Sequence, residues 1–295
     1  MTAILLAGPT ASGKSALALA LARETGGVIV NADALQVYAD WRLLTARPSA
    51  EEEAQAPHRL YGMLGFDAPW SAGHWLRAVT ALLREVETPI FVGGTGLYFL
   101  ALTEGLAEIP ETPAEVRARG DALRRAQGAA GLAALLAERD PGTLARIDAR
   151  NPMRLQRAWE VLESTGRPLS AWQDDTPPPV IAPDTALRLV MMPEPGWLNA
   201  RIDRRFDMMM ADGALDEVRA VLPRWQPERP AAQALGAREL VAHLRGETGL
   251  AEAVAQAKLG SRQYAKRQRT WFRNRMKGWR QVDPAALPPL RDLLG

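Results

Sequence analysis

The chain has 295 residues, 47% of them hydrophobic, enough for one large or two modest domains with a sizeable core. Lys and Arg number 36 against 34 Asp and Glu, a formal net charge of +2, yet the isoelectric point is about 9.1, so a strongly basic surface has to come from clustering. The absence of cysteine excludes disulfides, thiolate zinc sites and cysteine nucleophiles, and leaves catalysis to oxygen, nitrogen and hard metals.

In chain order, residues 3–7 read as a short buried strand, and Gly8-Pro9-Thr10-Ala11-Ser12-Gly13-Lys14-Ser15 follows with the spacing Gly, four residues, Gly-Lys-Ser. Residues 16–23, rich in Ala and Leu, then read as a helix. In that setting Gly8 and Gly13 allow backbone angles closed to other residues, so successive N–H groups turn inward toward phosphate oxygens at a helix N-terminus. Lys14 adds a point charge and Ser15 a hydroxyl ligand for Mg2+. The stretch predicts a diphosphate site and leaves the reaction open. The apolar start carries no basic leader, and no stretch approaches the ~18 apolar residues of a membrane helix, so a cytoplasmic protein is expected.

Residues 28–31 form a second strand candidate and residues 89–94 a third, after an amphipathic stretch over 73–87. Asp33, just past the second strand, falls at the carboxyl edge of the sheet beside the phosphate loop. It could be a general base, a helix N-cap or an acid on the magnesium side, and the residue alone does not choose. A helical, charged segment over 113–163 is too long for a loop, and Thr176-Pro177-Pro178-Pro179 with Pro183 marks the return to a fourth strand at 186–192. The expected fold is α/β: a P-loop NTPase-like three-layer core with a parallel sheet, residues 1–109 and 186–295, plus an inserted all-helical domain, residues 110–185.

Residues 258–280 hold Lys258, Arg262, Lys266, Arg267, Arg269, Arg273, Arg275, Lys277 and Arg280 and no acid, interleaved with Tyr264, Trp271, Phe272 and Trp279. On a helix this block either presents cations to phosphates or is an amphipathic helix with a solvated charged face. Tyr264 and Phe272 are expected in the core. His58, His74 and His243 have no partner at metal-binding spacing and read as structural.

The phosphate loop, Asn31-Ala32-Asp33 to Gln36-Val37-Tyr38, Val92-Gly93-Gly94-Thr95-Gly96-Leu97-Tyr98, Asn151-Pro152-Met153-Arg154-Leu155-Gln156-Arg157-Ala158 and Tyr264-Ala265-Lys266-Arg267-Gln268-Arg269-Thr270-Trp271-Phe272-Arg273, in this order, resemble the bacterial tRNA dimethylallyltransferases over nearly the whole chain. That resemblance implies transfer of a dimethylallyl group from dimethylallyl diphosphate to N6 of adenosine 37 in tRNAs reading codons that begin with U. It implies that the loop, residues Gly8, Pro9, Thr10, Ala11, Ser12, Gly13, Lys14 and Ser15, cradles the diphosphate rather than ATP, with Arg205 as a further contact and Mg2+ on Ser15. Asp33 is then the general base and Thr10 holds the reacting groups. The anticodon stem-loop is expected to meet Asp33, Ala34, Leu35, Gln36, Thr95, Arg117, Met153, Arg154, Leu155, Gln156, Arg157, Lys266, Arg269 and Arg273, with the helical domain contributing. No membrane partner is expected, and a monomer is. Ala34, Leu44 and Ala237 depart from the family pattern, which has Ser, Gly and Tyr there, and Arg47 beside Pro48 reads as a solvated loop residue or an RNA contact. A small-molecule or nucleotide kinase is the alternative that the loop and the fold alone would allow.

Overall fold

The computed structural model describes residues 3–295, which divide into two compact units: one runs up to Thr103 and resumes at Val180, and the other is Glu104–Pro179. The second unit is bounded earlier than 110 and 185 because Ile181 already belongs to the sheet unit. Its N–H donates to Leu102 O at 3.0 Å and its side chain is buried in that unit's core.

Six parallel strands form one sheet in the order β3-β2-β4-β1-β5-β6: β1 Ala3–Ala7, β2 Val28–Asn31, β3 His58–Arg59, β4 Pro89–Gly93, β5 Ala186–Met191 and β6 Arg280–Val282. Both faces are covered, which is why the central strands read as continuous apolar runs. Alternate residues divide between the faces. Ile4, Leu6, Ile90, Val92, Leu189 and Met191 meet α1 (Lys14–Thr25), while Leu5, Phe91 and Val190 meet a second layer of helices. After α2 (Ala50–Glu53), that layer is supplied by α3 (Ala72–Leu82) and α4 (Gly96–Glu104). β1 pairs with β4 on one side and β5 on the other, so the strand order reverses beside the phosphate loop. In open α/β sheets ligands bind at the carboxyl ends of strands where the order reverses.

The helical unit contains α5 (Ala114–Arg139), α6 (Pro141–Leu144), α7 (Pro152–Thr165) and α8 (Leu169–Asp174). Gly128, at φ 62° and ψ −157°, breaks α5 into two pieces. Val116, Leu132, Leu136, Leu155, Trp159 and Val161 make the unit's own core.

The chain returns through β5 to α9 (Pro195–Ala211), α10 (Ala214–Val221), α11 (Ala237–Leu244), the 26-residue α12 (Leu250–Arg275) and α13 (Leu290–Leu294). α9 to α12 close a second core with Val37, Tyr38, Trp41 and Leu44. The C-terminal end of α12 lays Phe272 and Met276 on the sheet's second layer. The basic block is thus not one helix to Arg280. Met276 ends it, Trp279 is buried, and Arg280 starts the edge strand β6.

Candidate active site

The phosphate loop follows from its own sterics. Gly13 caps α1 at φ 89°, a left-handed conformation that glycine adopts freely, and a Cβ on Gly8 would lie 2.7 Å from Ser12 Oγ and 3.1 Å from Met191 Cβ. Ala11 also sits at φ 62°, held there by Arg201, whose Nε donates to Ala11 O at 3.1 Å and whose guanidinium lies 4.7 Å from the Trp197 ring centroid. Inside the loop, Gly8 N–H goes to Gly93 O, Ser12 N–H to Pro9 O and Thr10 N–H to Gln268 Oε1. The N–H groups of Ala11, Gly13, Lys14 and Ser15 meet no protein acceptor among the described residues, and they cluster at the N-terminus of α1. That is a site for an anion with several oxygens. Ser12 contributes no side chain to it, because its hydroxyl is buried against Met191 Sδ at 3.8 Å.

Two cations face the loop. Lys14 Nζ bonds Pro9 O at 3.4 Å, and burial pushes its ammonium down to about 8, with the Asp33 charge opposing and Arg205 reinforcing that shift. Arg205, on α9, donates to Thr10 Oγ1, and burial lowers its guanidinium to about 10 against the pull of Asp33. Both gain a counter-charge when an anion enters. The Ser15 hydroxyl is exposed at the start of α1, and among the described residues no group of three His, Asp or Glu side chains could cage a metal. This donor set fits Mg2+, which keeps waters and takes ligands from a bound phosphate.

Asp33 is not a helix N-cap, since no helix starts there. Its Oδ1 accepts the N–H of Leu35 at 3.0 Å, an Asx-turn. Buried Asn31 at the end of β2 shapes this turn, accepting Asp33 N–H at 2.8 Å and donating to Asp33 O and Leu60 O at 3.0 Å. Trp75 Nε1 in turn donates to Asn31 O at 2.7 Å. Thr95 Oγ1 accepts the N–H of Ala34 at 3.0 Å. Thr95 therefore braces the Asp33 loop, and Gln36 braces the next one, its Nε2 donating to Thr45 O and Ala46 O at 2.8 Å.

Asp33, Thr10 and Arg205 line a pocket whose other walls are largely apolar: Leu35, Leu44, Ile202, Phe206, Met209 and Leu235, with Thr45, Ser261 and Tyr264 completing it. Ile202, Arg205, Phe206 and Met209 are spaced i, i+3, i+4, i+7 on α9, so one helical face builds much of the wall. Leu44 is presented by the Glu217 carboxylate, which takes the N–H groups of Arg42, Leu43 and Leu44 at 2.5, 2.9 and 2.9 Å. Tyr264 is a pocket residue rather than core, and burial pushes its phenol up, with the Asp33 charge adding to the effect. Arg47 is half-buried, and its Nη1 donates to Tyr38 O and Ala39 O at 3.2 Å.

Other expected contacts separate by exposure. In the helical unit Met153, Arg154 and Arg117 are exposed, whereas Leu155 is fully buried in the core and Gln156 is 4% exposed. The Gln156 carboxamide is used up internally, accepting from Arg124 Nε at 2.6 Å and donating to Asp121 and Glu160. Leu155 and Gln156 thus lie on the inward phase of α7 and are corrected to structural residues. Arg157 donates to Thr112 Oγ1 at 2.7 Å. On α12, Lys258 and Arg262 pair with Asp207 and Asp203 of α9 at 2.6 and 2.5 Å, leaving Lys266, Arg267, Arg273 and Arg275 exposed. Arg269 is half-buried, its Nε without an acceptor.

Residues 36–275 match the family model described as IPP transferase, and residues 1–65 the one described as isopentenyl transferase. A tRNA dimethylallyltransferase of Cereibacter sphaeroides is 65% identical over 279 residues, covering 95% of this chain and 88% of the relative. One from Dinoroseobacter shibae is 61% identical over 283 residues, covering 96% and 95%. A solved tRNA isopentenylpyrophosphate transferase of Bacillus halodurans superposes with TM-score 0.70 at 29% identity, over 99% of this chain and 93% of that one. A eukaryotic dimethylallyltransferase, with TM-score 0.82 at 23% identity over 96% and 74%, has the same fold. With a family model spanning most of its length and relatives this close over nearly all of it, the chain belongs to the IPP transferase family.

Proposed function

We propose that this enzyme transfers a dimethylallyl group from dimethylallyl diphosphate to N6 of adenosine 37 in tRNA, releasing diphosphate. The observation that carries the reading is a single pocket that joins a phosphate loop, through Thr10 and Arg205, to the Asp33 carboxylate across apolar walls. Dimethylallyl diphosphate has the matching halves, a multiply charged head and a five-carbon apolar tail. The head is held by the loop N–H groups, Lys14 and Arg205, where charge grows as the allylic carbon–oxygen bond breaks. Mg2+ held by Ser15 would neutralise part of that charge. The adenosine N6 attacks the allylic carbon, and Asp33 Oδ2 accepts the N6 proton while Oδ1 stays fixed by Leu35. An adenine in a tRNA loop has to be unstacked to reach Asp33, which costs a few kcal/mol, and basic contacts outside the pocket offset that cost. Lys266, Arg269 and Arg273, with Arg117, Met153 and Arg154 on the helical unit, are assigned to the anticodon stem-loop.

Family membership favours this over phosphoryl transfer, which the loop alone would equally serve. Digestion of tRNA treated with the protein and dimethylallyl diphosphate should yield an adenosine heavier by one isopentenyl unit. No mass gain, with ATP instead consumed on a small acceptor, would establish the kinase.

A further inference from the structure

Gln268 lies on α12, 258 positions from Thr10 in the chain, and its side chain is 6% exposed. Its Oε1 accepts the Thr10 N–H at 2.9 Å and its Nε2 donates to Gly94 O at 2.9 Å. The fit is close, because a Cβ built on Gly94 would collide with Nε2 and stand 3.4 Å from Asp33 Oδ2. The carboxamide thus bridges the phosphate loop and the turn that follows β4, next to the carboxylate assigned as base. A loop peptide can turn its N–H toward or away from a ligand. Gln268 fixes the Pro9–Thr10 peptide in one sense, and with it the facing of Thr10 Oγ1 and the Ala11 N–H.

We propose that Gln268 is a positioning residue that ties the phosphate-binding loop to the β4–α4 turn, so that diphosphate affinity depends on a side chain that both accepts and donates at this point. The proposal rests on reading the loop as a diphosphate site. Its chemical content is specific. A protonated carboxyl also offers one acceptor and one donor in this geometry, an ionised one offers only acceptors and faces Gly94 O, and a thioether offers neither. Gln268→Glu therefore makes the bridge switchable by pH, and Gln268→Met removes it at similar volume. The groups around the new carboxyl are Asp33 across Gly94, Lys14 and Arg205 about the loop, and Tyr264 one turn earlier on α12. Burial and the Asp33 charge should shift this carboxyl upward, with Lys14 and Arg205 acting against the shift.

The test is calorimetric titration of wild type, Gln268→Glu and Gln268→Met with inorganic diphosphate and Mg2+ from about pH 5.5 to about pH 8.5. Each affinity is expressed relative to wild type at the same pH, which cancels titration of the ligand and of Lys14. Gln268→Met should bind about tenfold more weakly throughout, the scale of a buried hydrogen bond lost to an unpaired partner. Gln268→Glu should stay within about threefold of wild type at the acid end and fall to the level of Gln268→Met or below at the alkaline end, reversibly in one sample. A pH-independent ratio for Gln268→Glu, or wild-type affinity in Gln268→Met, would overturn the proposal. So would a melting temperature that falls in parallel with affinity, since that marks a purely structural residue. If wild type itself binds no diphosphate, the loop reading fails first. Transfer to tRNA, measured separately on wild type, tests the enzymatic reading without reference to Gln268.

Discussion

The guanidinium of Arg205 donates a hydrogen bond to the hydroxyl of Thr10, tying α9 to the phosphate loop at the point where the loop meets the pocket. Only a planar fork can hold Thr10 with one nitrogen and present others to a diphosphate oxygen. Arg205→Lys keeps the charge and loses the fork, so it should raise KM for dimethylallyl diphosphate and lower kcat/KM by about 10-fold to 100-fold. Steady-state kinetics check this, and an unchanged KM would remove Arg205 from the diphosphate site.

Asp33→Asn separates geometry from chemistry. Asparagine retains the oxygen that accepts the Leu35 N–H, so the turn should persist. What is lost is the proton acceptor, and turnover should fall by about 10²-fold to 10⁴-fold with tRNA affinity nearly intact. Single-turnover transfer and filter binding on the same preparation supply both numbers. An unchanged rate would exclude the assignment of Asp33 as base.

Lys14 links pH to both binding and stability. Because burial lowers its folded value to about 8 from 10.5, the unfolded chain holds more protons between those values, and this group's contribution to stability rises with pH across that window. Below about 8 the buried charge opposes folding in full. Diphosphate supplies the missing counter-charge, so binding near pH 8 should take up a proton, and affinity should weaken as pH climbs past 8. Calorimetry in buffers of different ionisation enthalpy measures the uptake. Lys14→Met should lose diphosphate binding yet gain on the order of 1 kcal/mol in stability at pH 7, visible as a raised Tm. A lowered Tm would contradict the desolvation argument.

Cations on α12 should differ in their salt signature. Arg273 is exposed, whereas Lys258 is occupied by Asp207 at 2.6 Å. Arg273→Gln should flatten the slope of log tRNA affinity against log salt by up to about one unit, and Lys258→Gln should leave it unchanged. Equal effects would mean that the block acts through its total charge and not through placed contacts.

The core of the fold was legible because its signals are local. β1, the phosphate loop and α1 obey spacing rules that span a dozen residues, and strands covered on both faces show as apolar runs. The edge strands β3 and β6 have two and three residues, too few for any period to register. In the site, the spacing of the phosphate loop singles out Lys14, and the end of the second strand places Asp33 at the sheet's carboxyl edge. Asn31, Trp75, Glu217 and Gln268 were not legible, because each acts through a hydrogen bond to a distant or internal backbone group that no spacing encodes. The block that holds Leu155 and Gln156 does not show its helical phase in sequence, and α7 turns both inward. The rule that aromatics prefer burial does not tell a core from a cavity wall, and Tyr264 is the wall.

The sheet order also dictates when the enzyme can exist during its own synthesis. β1 is made first but sits between β4 and β5, and its loop waits for Gln268, 258 positions after Thr10. At about 5–20 residues per second, the nascent chain carries Lys14 and its half-built nest for roughly ten to fifty seconds before the carboxamide arrives. Until β4 is made β1 has two open edges, and until β5 follows it still has one. Closure of the phosphate loop is therefore a non-local event, set by contacts made late in the chain.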